Sequence, residues 1–413
     1  MDGMMTEKPD SPIEETLNEK LPDPKEEALN EKKAAILEAC KSKDLAALTA
    51  LAESSGGFLA DTIRQEAWPV LLGLPPNKTE NDPEDAWKSL PRHKDEDQVQ
   101  LDVNRAFVYY PNHNNESLLN LQKSHLSTLI ISTLRHHPHL SYFQGYHDIS
   151  QVLLLVLPPS TRYPALSHLS LLRIRDFMLP SLSPAISQLR LLPDILRLSD
   201  PALWQHLSST EPFFALSGTL TMYAHDITTL GEITRLFDVL LSKEPVFTIY
   251  LFAAIVRSRR EELLDIPFDE PEMLHSVLSK LPNPLDLEGL IRDAGGLMKE
   301  FPPEKLPQWK RISRWSVLKT GRTGVQWKLE EGEEFFEKQV KELEWKEKRD
   351  KTLKMLWQYR RPARTVGFAV VVGVLAVLLR RYSGSGGYGY QFLSDRGGLL
   401  GYVTELLGRW RWR

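Results

Sequence analysis

From Asn30 to about residue 300 the chain is patterned almost without a break at the α-helical period. In EKKAAILEACKSKDLAALTALAES the apolar residues Ile36, Leu37, Cys40, Leu45, Leu48 and Leu51 recur mostly at three- and four-residue steps. LLNLQKSHLSTLIISTLRHHP, ISQVLLLVL, ALSHLSLLRIRDFML, AISQLRLLPDILRL, EITRLFDVLL and VFTIYLFAAIVRSRREELL all carry broad apolar faces. Strand signals are missing: Asn-Gly does not occur, and the only Asp-Gly is Asp2-Gly3. Prolines, among them Pro158, Pro180, Pro193, Pro201 and Pro212, end one helix and open the next. This pattern predicts an all-α protein dominated by one large helical domain, over 30–300. With 42% hydrophobic and 26% charged residues among 413, the chain can build such a core.

The flanks read differently. Residues 1–29 are rich in Pro, Glu, Asp and Lys and are expected to be a disordered N-terminal segment. Residues 301–360 are expected to be a linker (FPPEKLPQWKR) followed by a charged helix. Its apolar residues keep no heptad, which favours a solvated stalk over a coiled coil. Thr365 to Leu379 then reads TVGFAVVVGVLAVLL, fifteen residues without a charge, which span about 22 Å as a helix. Extended by its neighbours to 361–382, with the flanking arginines reaching toward headgroups, the segment predicts one transmembrane helix. Lys351, Lys354, Arg360, Arg361 and Arg364 precede it and only Arg380 and Arg381 follow closely, which puts the large domain on the cytosolic side. So short a span suits a thin membrane such as that of the endoplasmic reticulum. For the tail 383–413 both a lumenal end and a return to the cytosol stay open.

Several function classes are excluded or unsupported. A single cysteine, Cys40, rules out an internal disulfide and any site needing two thiolates. The net charge of −4 gives no global field toward nucleic acid. The N-terminus lacks the basic and apolar regions of a signal peptide. No phosphate-loop, nucleophile-elbow or HExxH motif occurs, and the one GxGxxG, Gly384–Gly389, has no strand before it. His136, His137 and His139 lie around Pro138 without clean ligand spacing. They are expected, with Arg135, to cap a helix C-terminus rather than hold a metal.

Three stretches combine apolar periodicity with unusual polar residues: IRQEAWPVLLGL from Ile63, VQLDVNRAFVYYP from Val99 and SYFQGYHDISQVLL from Ser141. In the second, Asp102 and Arg105 stand three residues apart, close enough on a helix for the carboxylate to orient the guanidinium. In the third, Tyr142 and Gln144 precede Gly145, where the chain can turn sharply.

In these stretches the sequence resembles the TBC domain family, the GTPase-activating proteins for Rab GTPases. Arg64, Trp68, Pro69, Leu71, Leu72 and Gly73 match the family's opening R-x-x-x-W-P-x-L-L-G. Val99, Asp102 and Arg105 match its arginine-finger motif, with Val for Ile, and Tyr142-Phe143-Gln144-Gly145 match its glutamine-finger motif Y-x-Q-G. The resemblance covers about 58–290 and, with the C-terminal apolar span, is nearest to the endoplasmic-reticulum-anchored members, which act in early secretory traffic. It implies a GTP-bound Rab as partner, with Mg²⁺ and GTP belonging to that partner and no cofactor or metal of this chain's own. It further implies Arg105 and Gln144 as catalytic residues, Asp102 as the group that orients Arg105, and Tyr142 as a buttress of the glutamine turn. Membrane lipid would be met through the C-terminal helix, at the endoplasmic reticulum or early Golgi. Two alternatives stay open on the sequence: a non-catalytic Rab-binding adaptor of the same fold, and a membrane-tethered helical scaffold.

Overall fold

The structure is a computed structural model, and it describes residues 24–75, 86–111, 115–322 and 326–383. Segment 1–23, much of the polar loop after Leu74, the GxGxxG run and the tail beyond Ser383 lie outside the described residues.

Eighteen α-helices and no strand occur among the described residues. The first group is α1 (Pro24–Ser42), α2 (Leu45–Glu53), α3 (Asp61–Leu71), α4 (Glu96–Asn104), α5 (Glu116–His136), α6 (Tyr146–Val156) and α7 (Pro159–Leu172). The second is α8 (Ser183–Leu189), α9 (Leu191–Ser199), α10 (Pro201–His206), α11 (Leu216–Leu220), α12 (Leu230–Ser242), α13 (Phe247–Ser258), α14 (Arg260–Asp265), α15 (Pro271–Leu278) and α16 (Leu287–Glu300). Two more follow, α17 (Val317–Thr320) and α18 (Leu329–Ser383). The all-α expectation therefore holds. Helix α1 starts at Pro24, earlier than the expected start near Asn30.

Helices α12 and α13 form the centre. Ile233–Ser242 and Ile249–Val256 are buried on every side; 249–256 is apolar apart from the Tyr250 hydroxyl, whereas the buried Arg235 and Asp238 of α12 are met by polar partners. Thr229 caps α12 by accepting from the Glu232 N–H, and the Glu232 carboxylate returns to the Thr229 hydroxyl. Helix α16 packs along α13, α2 and α3 lie on α12, and α5 bridges α4, α6 and α7. The Arg64/Trp68 motif is structural. Asp238, fully buried on α12, accepts from Arg64 Nε and Nη2 at 3.0 Å each, from Trp68 Nε1 at 2.8 Å and from the Phe58 N–H at 3.0 Å. Burial pushes the Asp238 carboxyl above its usual range and Arg64 opposes that push.

Residues 301–341 correct the linker-and-stalk expectation. They belong to the first compact unit, Met1–Lys341. Leu306, Trp309, Ile312, Val317, Leu318, Phe335, Phe336 and Gln339 are all buried. Two adjacent buried charges hold them. Asp176 accepts from Gln339 Nε2 at 2.8 Å, Gln188 Nε2 at 2.7 Å, the Val317 N–H at 3.1 Å and the Ser316 hydroxyl. Arg175 donates to Gln339 Oε1 and Thr320 Oγ1, each at 3.2 Å, and to the Leu171 and Trp315 carbonyls. The apolar residues here follow no regular period because they meet an irregular non-local surface rather than a partner helix.

The second unit, Glu342–Arg413, is helical as far as it is described. Among the described residues no helix is long and apolar enough to cross a membrane. The side chains described within the expected span are those of 367–380, an uncharged run of thirteen residues, 367–379, and then Arg380, against the about 20 that a crossing helix needs. Phe368, Val370, Leu375 and Val377 in that run are 50–66% exposed.

Candidate functional site

Asp102 is the centre of the site. It lies in the last turn of α4 with its side chain 1% exposed. Its Oδ1 accepts from Arg105 Nη2 at 2.9 Å and from Gln98 Nε2 at 3.1 Å, and its Oδ2 accepts from the Tyr142 hydroxyl at 2.9 Å. A buried carboxylate needs such donors, since an unpaired one is costly to desolvate. Burial and the Asp102 charge both push the Tyr142 phenol above its usual range, so it stays a donor.

Arg105 caps α4, its N–H bonded to the Asp102 carbonyl at 3.0 Å. Its side chain is 68% exposed: Asp102 holds Nη2, the Leu101 carbonyl accepts from Nε at 3.4 Å, and among the described residues Nη1 is left for a partner. The loop that follows is held by Gln151, a residue sequence reasoning did not single out. Gln151 is buried on α6, accepts from the Phe107 N–H at 3.0 Å and donates to the Tyr110 carbonyl at 3.0 Å. Phe107 is in the left-handed region with φ 64°. A mid-helix glutamine in an apolar run was the only signal for this clamp.

The second half of the site is the turn into α6. The Tyr142 N–H donates to Asp95 Oδ2 at 2.9 Å, tying the turn to the start of α4. Gly145 is the N-cap of α6 with φ 100°. A Cβ there would lie 2.5 Å from Thr221 Cγ2, so both conformation and space require glycine. Gln144 precedes it, exposed and with no hydrogen bond among the described residues. The structure thus links Asp102, Arg105 and Tyr142 directly, and carries Gln144 two residues beyond Tyr142 on the same turn.

His147 and Asp148 extend the network. His147 Nδ1 is 3.4 Å from the Tyr142 hydroxyl and its Nε2 is 3.3 Å from Asp148 Oδ1. Burial lowers the His147 imidazole below its usual value, favouring the neutral ring. On its far side Asp148 pairs with His225 at 2.9 Å, and that bond raises His225. Exposed apolar side chains border Arg105: Leu101, Val108 and Tyr109 are 57%, 72% and 54% exposed.

The histidine cluster is partly a correction. His136 Nδ1 lies 2.7 Å from the Ser132 carbonyl in the last turn of α5, as a cap would. Arg135 instead forms a two-pronged pair with Glu96, at 2.7 and 2.9 Å, and His137 Nδ1 faces Glu333 at 2.9 Å. Among the described residues no group of three His, Cys, Asp or Glu is arranged to hold a metal.

Fold and site define a class: a many-helix domain that displays an arginine, braced by a buried carboxylate, and a glutamine on a neighbouring turn. The chain belongs to the Rab-GTPase-TBC domain family, which it matches over residues 61–264. It is 33% identical over 302 residues to the GTPase-activating protein gyp10 of Schizosaccharomyces pombe, covering 71% of this chain and 79% of that protein. It is 36% identical over 267 residues to TBC1 domain family member 20 of Homo sapiens, covering 64% of this chain and 65% of that one. The crystal structure of the Ypt/Rab-GAP domain of Gyp1p is 18% identical, with a TM-score of 0.49 over 62% of this chain and 93% of that one.

Proposed function

We propose that this chain accelerates GTP hydrolysis by a Rab-family small GTPase, supplying Arg105 and Gln144 in trans to the partner's bound Mg²⁺ and GTP. The observation that carries this reading is the buried Asp102 carboxylate, which holds both the exposed Arg105 guanidinium and the Tyr142 that opens the Gln144 turn.

The chemistry follows from what a slow GTPase lacks. Negative charge gathers on the transferring phosphoryl group, and the attacking water is poorly held. A guanidinium with one edge already fixed brings charge and a planar donor fork to the phosphoryl oxygens with little further ordering. A side-chain amide both accepts from a water and donates to an oxygen, which suits Gln144 to the water. Asp102 then acts by positioning, and Tyr142 by holding the carboxylate that holds Arg105. The exposed Leu101, Val108 and Tyr109 give a partner apolar surface to cover beside the arginine.

The chain is further proposed to be anchored by the helix over 361–382 in an endomembrane of the early secretory pathway, that of the endoplasmic reticulum, with the helical domain cytosolic. Support comes from the uncharged run Thr365–Leu379, the arginine bias before it and the exposure of its apolar side chains.

The test is single-turnover GTP hydrolysis with a panel of purified Rabs, run beside a binding assay on the same proteins. Acceleration of at least one Rab supports the reading. Binding without acceleration across the panel would make the chain an adaptor instead.

A further inference from the structure

We infer that the helical segment 345–360, ahead of the proposed span, lies against an anionic lipid surface and grips it through Trp345, Arg349, Leu353, Trp357 and Arg360. At 100° per residue these five side chains fall within an arc of about 120°. The two tryptophans stand about 18 Å apart along that face, with Leu353 between them. Trp345, Leu353 and Trp357 are 61%, 54% and 66% exposed. Each tryptophan carries its own arginine: Arg349 lies 5.4 Å from the Trp345 ring centre and Arg360 lies 4.5 Å from that of Trp357. Such couples join a flat amphipathic ring to a cation, a combination at home at headgroup depth.

Charge selects the surface. Residues 345–360 carry six basic side chains against two acidic ones, whereas 329–344 carries two basic against seven acidic. The switch in sign falls at Trp345. The acidic partners within the basic stretch are neighbours on the helix surface: Asp350 meets Arg349 at 2.9 Å and Glu347 lies 3.9 Å from Lys351. Exposed pairs of this kind contribute little and yield readily to headgroup phosphates.

Continuity supplies the occupant. The segment runs directly into the uncharged stretch proposed to cross the bilayer, so a lipid surface is the phase that this face would meet first. Proline at 362 has no N–H to give the Gln358 carbonyl, a break in the ladder at which an in-plane segment can join a crossing one. The inference rests on the anchor reading for its geometry, and the experiment below separates the two.

The full chain, with Cys40→Ser, is given one environment-sensitive fluorophore on a cysteine at Leu353→Cys or at Val371→Cys. It is reconstituted in vesicles of phosphatidylcholine alone or with about one-third phosphatidylserine, and challenged with an aqueous quencher. The expected result is protection of the 353 label on anionic but not neutral vesicles. That protection should weaken roughly 5-fold for each arginine removed in Arg349→Gln and Arg360→Gln. The 371 label reports the anchor separately. A shielded 371 label beside a 353 label open to quencher on both vesicles overturns this proposal and leaves the anchor standing. An open 371 label beside a 353 label shielded on anionic vesicles does the reverse. Equal shielding of position 353 on neutral and anionic vesicles overturns the role of charge.

Discussion

The Tyr142 hydroxyl donates to Asp102 Oδ2 at 2.9 Å, across forty residues of chain, while Oδ1 of the same carboxylate holds Arg105. One buried acid thereby holds Arg105 and the turn that follows it in sequence. Asp102→Asn keeps an acceptor for Arg105 but loses the charge and one oxygen. It should lower stimulation of a cognate Rab about tenfold, mostly in kcat, with affinity near wild type, because the loss is of orientation in the transition state. Kinetics at saturating and limiting activator separate the two parameters. A loss confined to affinity would put Asp102 in docking instead.

Arg105→Ala should remove about 10³–10⁵ of the rate acceleration, the usual worth of an arginine finger. Its 68% exposed side chain packs little, but its loss leaves the buried Asp102 carboxylate with only Gln98 and Tyr142 as donors, so the fold should persist with a lowered melting temperature. Arg105→Lys should recover only a small part, since an ammonium lacks the planar fork. A Lys variant as fast as wild type would reduce the role to plain charge.

Gln144→Ala should cost about 10²–10³ in rate if the amide holds the attacking water. A Rab whose own switch glutamine is replaced by alanine should then still respond to the unmodified chain, because the amide is needed once. Both substitutions belong in one cycle of single-turnover measurements. Full activity of Gln144→Ala on an intact Rab, with none on the glutamine-less Rab, assigns the water to the GTPase.

Asp238→Ala should destabilise the domain by about 3–5 kcal/mol, since it removes the buried carboxylate partner of Arg64, leaving only Asp61 at 2.8 Å, and frees the Trp68 and Phe58 donors. Adding Arg64→Met should return part of that loss by removing a buried charge left with Asp61 alone. Urea denaturation of the wild type and the two variants is the measurement. An Asp238→Ala variant as stable as wild type would show that Asp61 and water satisfy Arg64.

Burial lowers His137, His139, His147 and His168 below the ordinary imidazole value. Folded, these rings bind fewer protons than unfolded, so their contribution to stability is complete above the unfolded value of about 6.5 and fades as pH falls below it. His225, raised chiefly by its bond to Asp148, has the opposite sign: its contribution is present below about 6.5 and is lost as pH rises through its folded value. The melting temperature should therefore drop on acidification below about pH 6.5, and His168→Asn should make that drop shallower. Calorimetric scans across the pH range test both, and an unchanged slope in His168→Asn removes that residue from the account.

Much of this was legible in the sequence. The apolar period of EITRLFDVLL and VFTIYLFAAIVRS is long, and helices α12 and α13 follow because such broad apolar faces need the core to cover them. Asp102 and Arg105 could be paired on paper because helical geometry alone brings residues three apart together. Gly145 before α6 could be read as a sharp turn for an equally local reason. What only the tertiary structure decided is non-local. The Gln151 clamp on Phe107 and Tyr110, the bond from Tyr142 to Asp102, and the docking of 301–341 through Arg175, Asp176 and Gln339 each join residues tens to more than a hundred positions apart. Local periodicity fixes which face of a helix is apolar. It leaves open which distant polar group a buried donor or carboxylate will find, because that choice is made by packing and by the cost of leaving such a group unpaired.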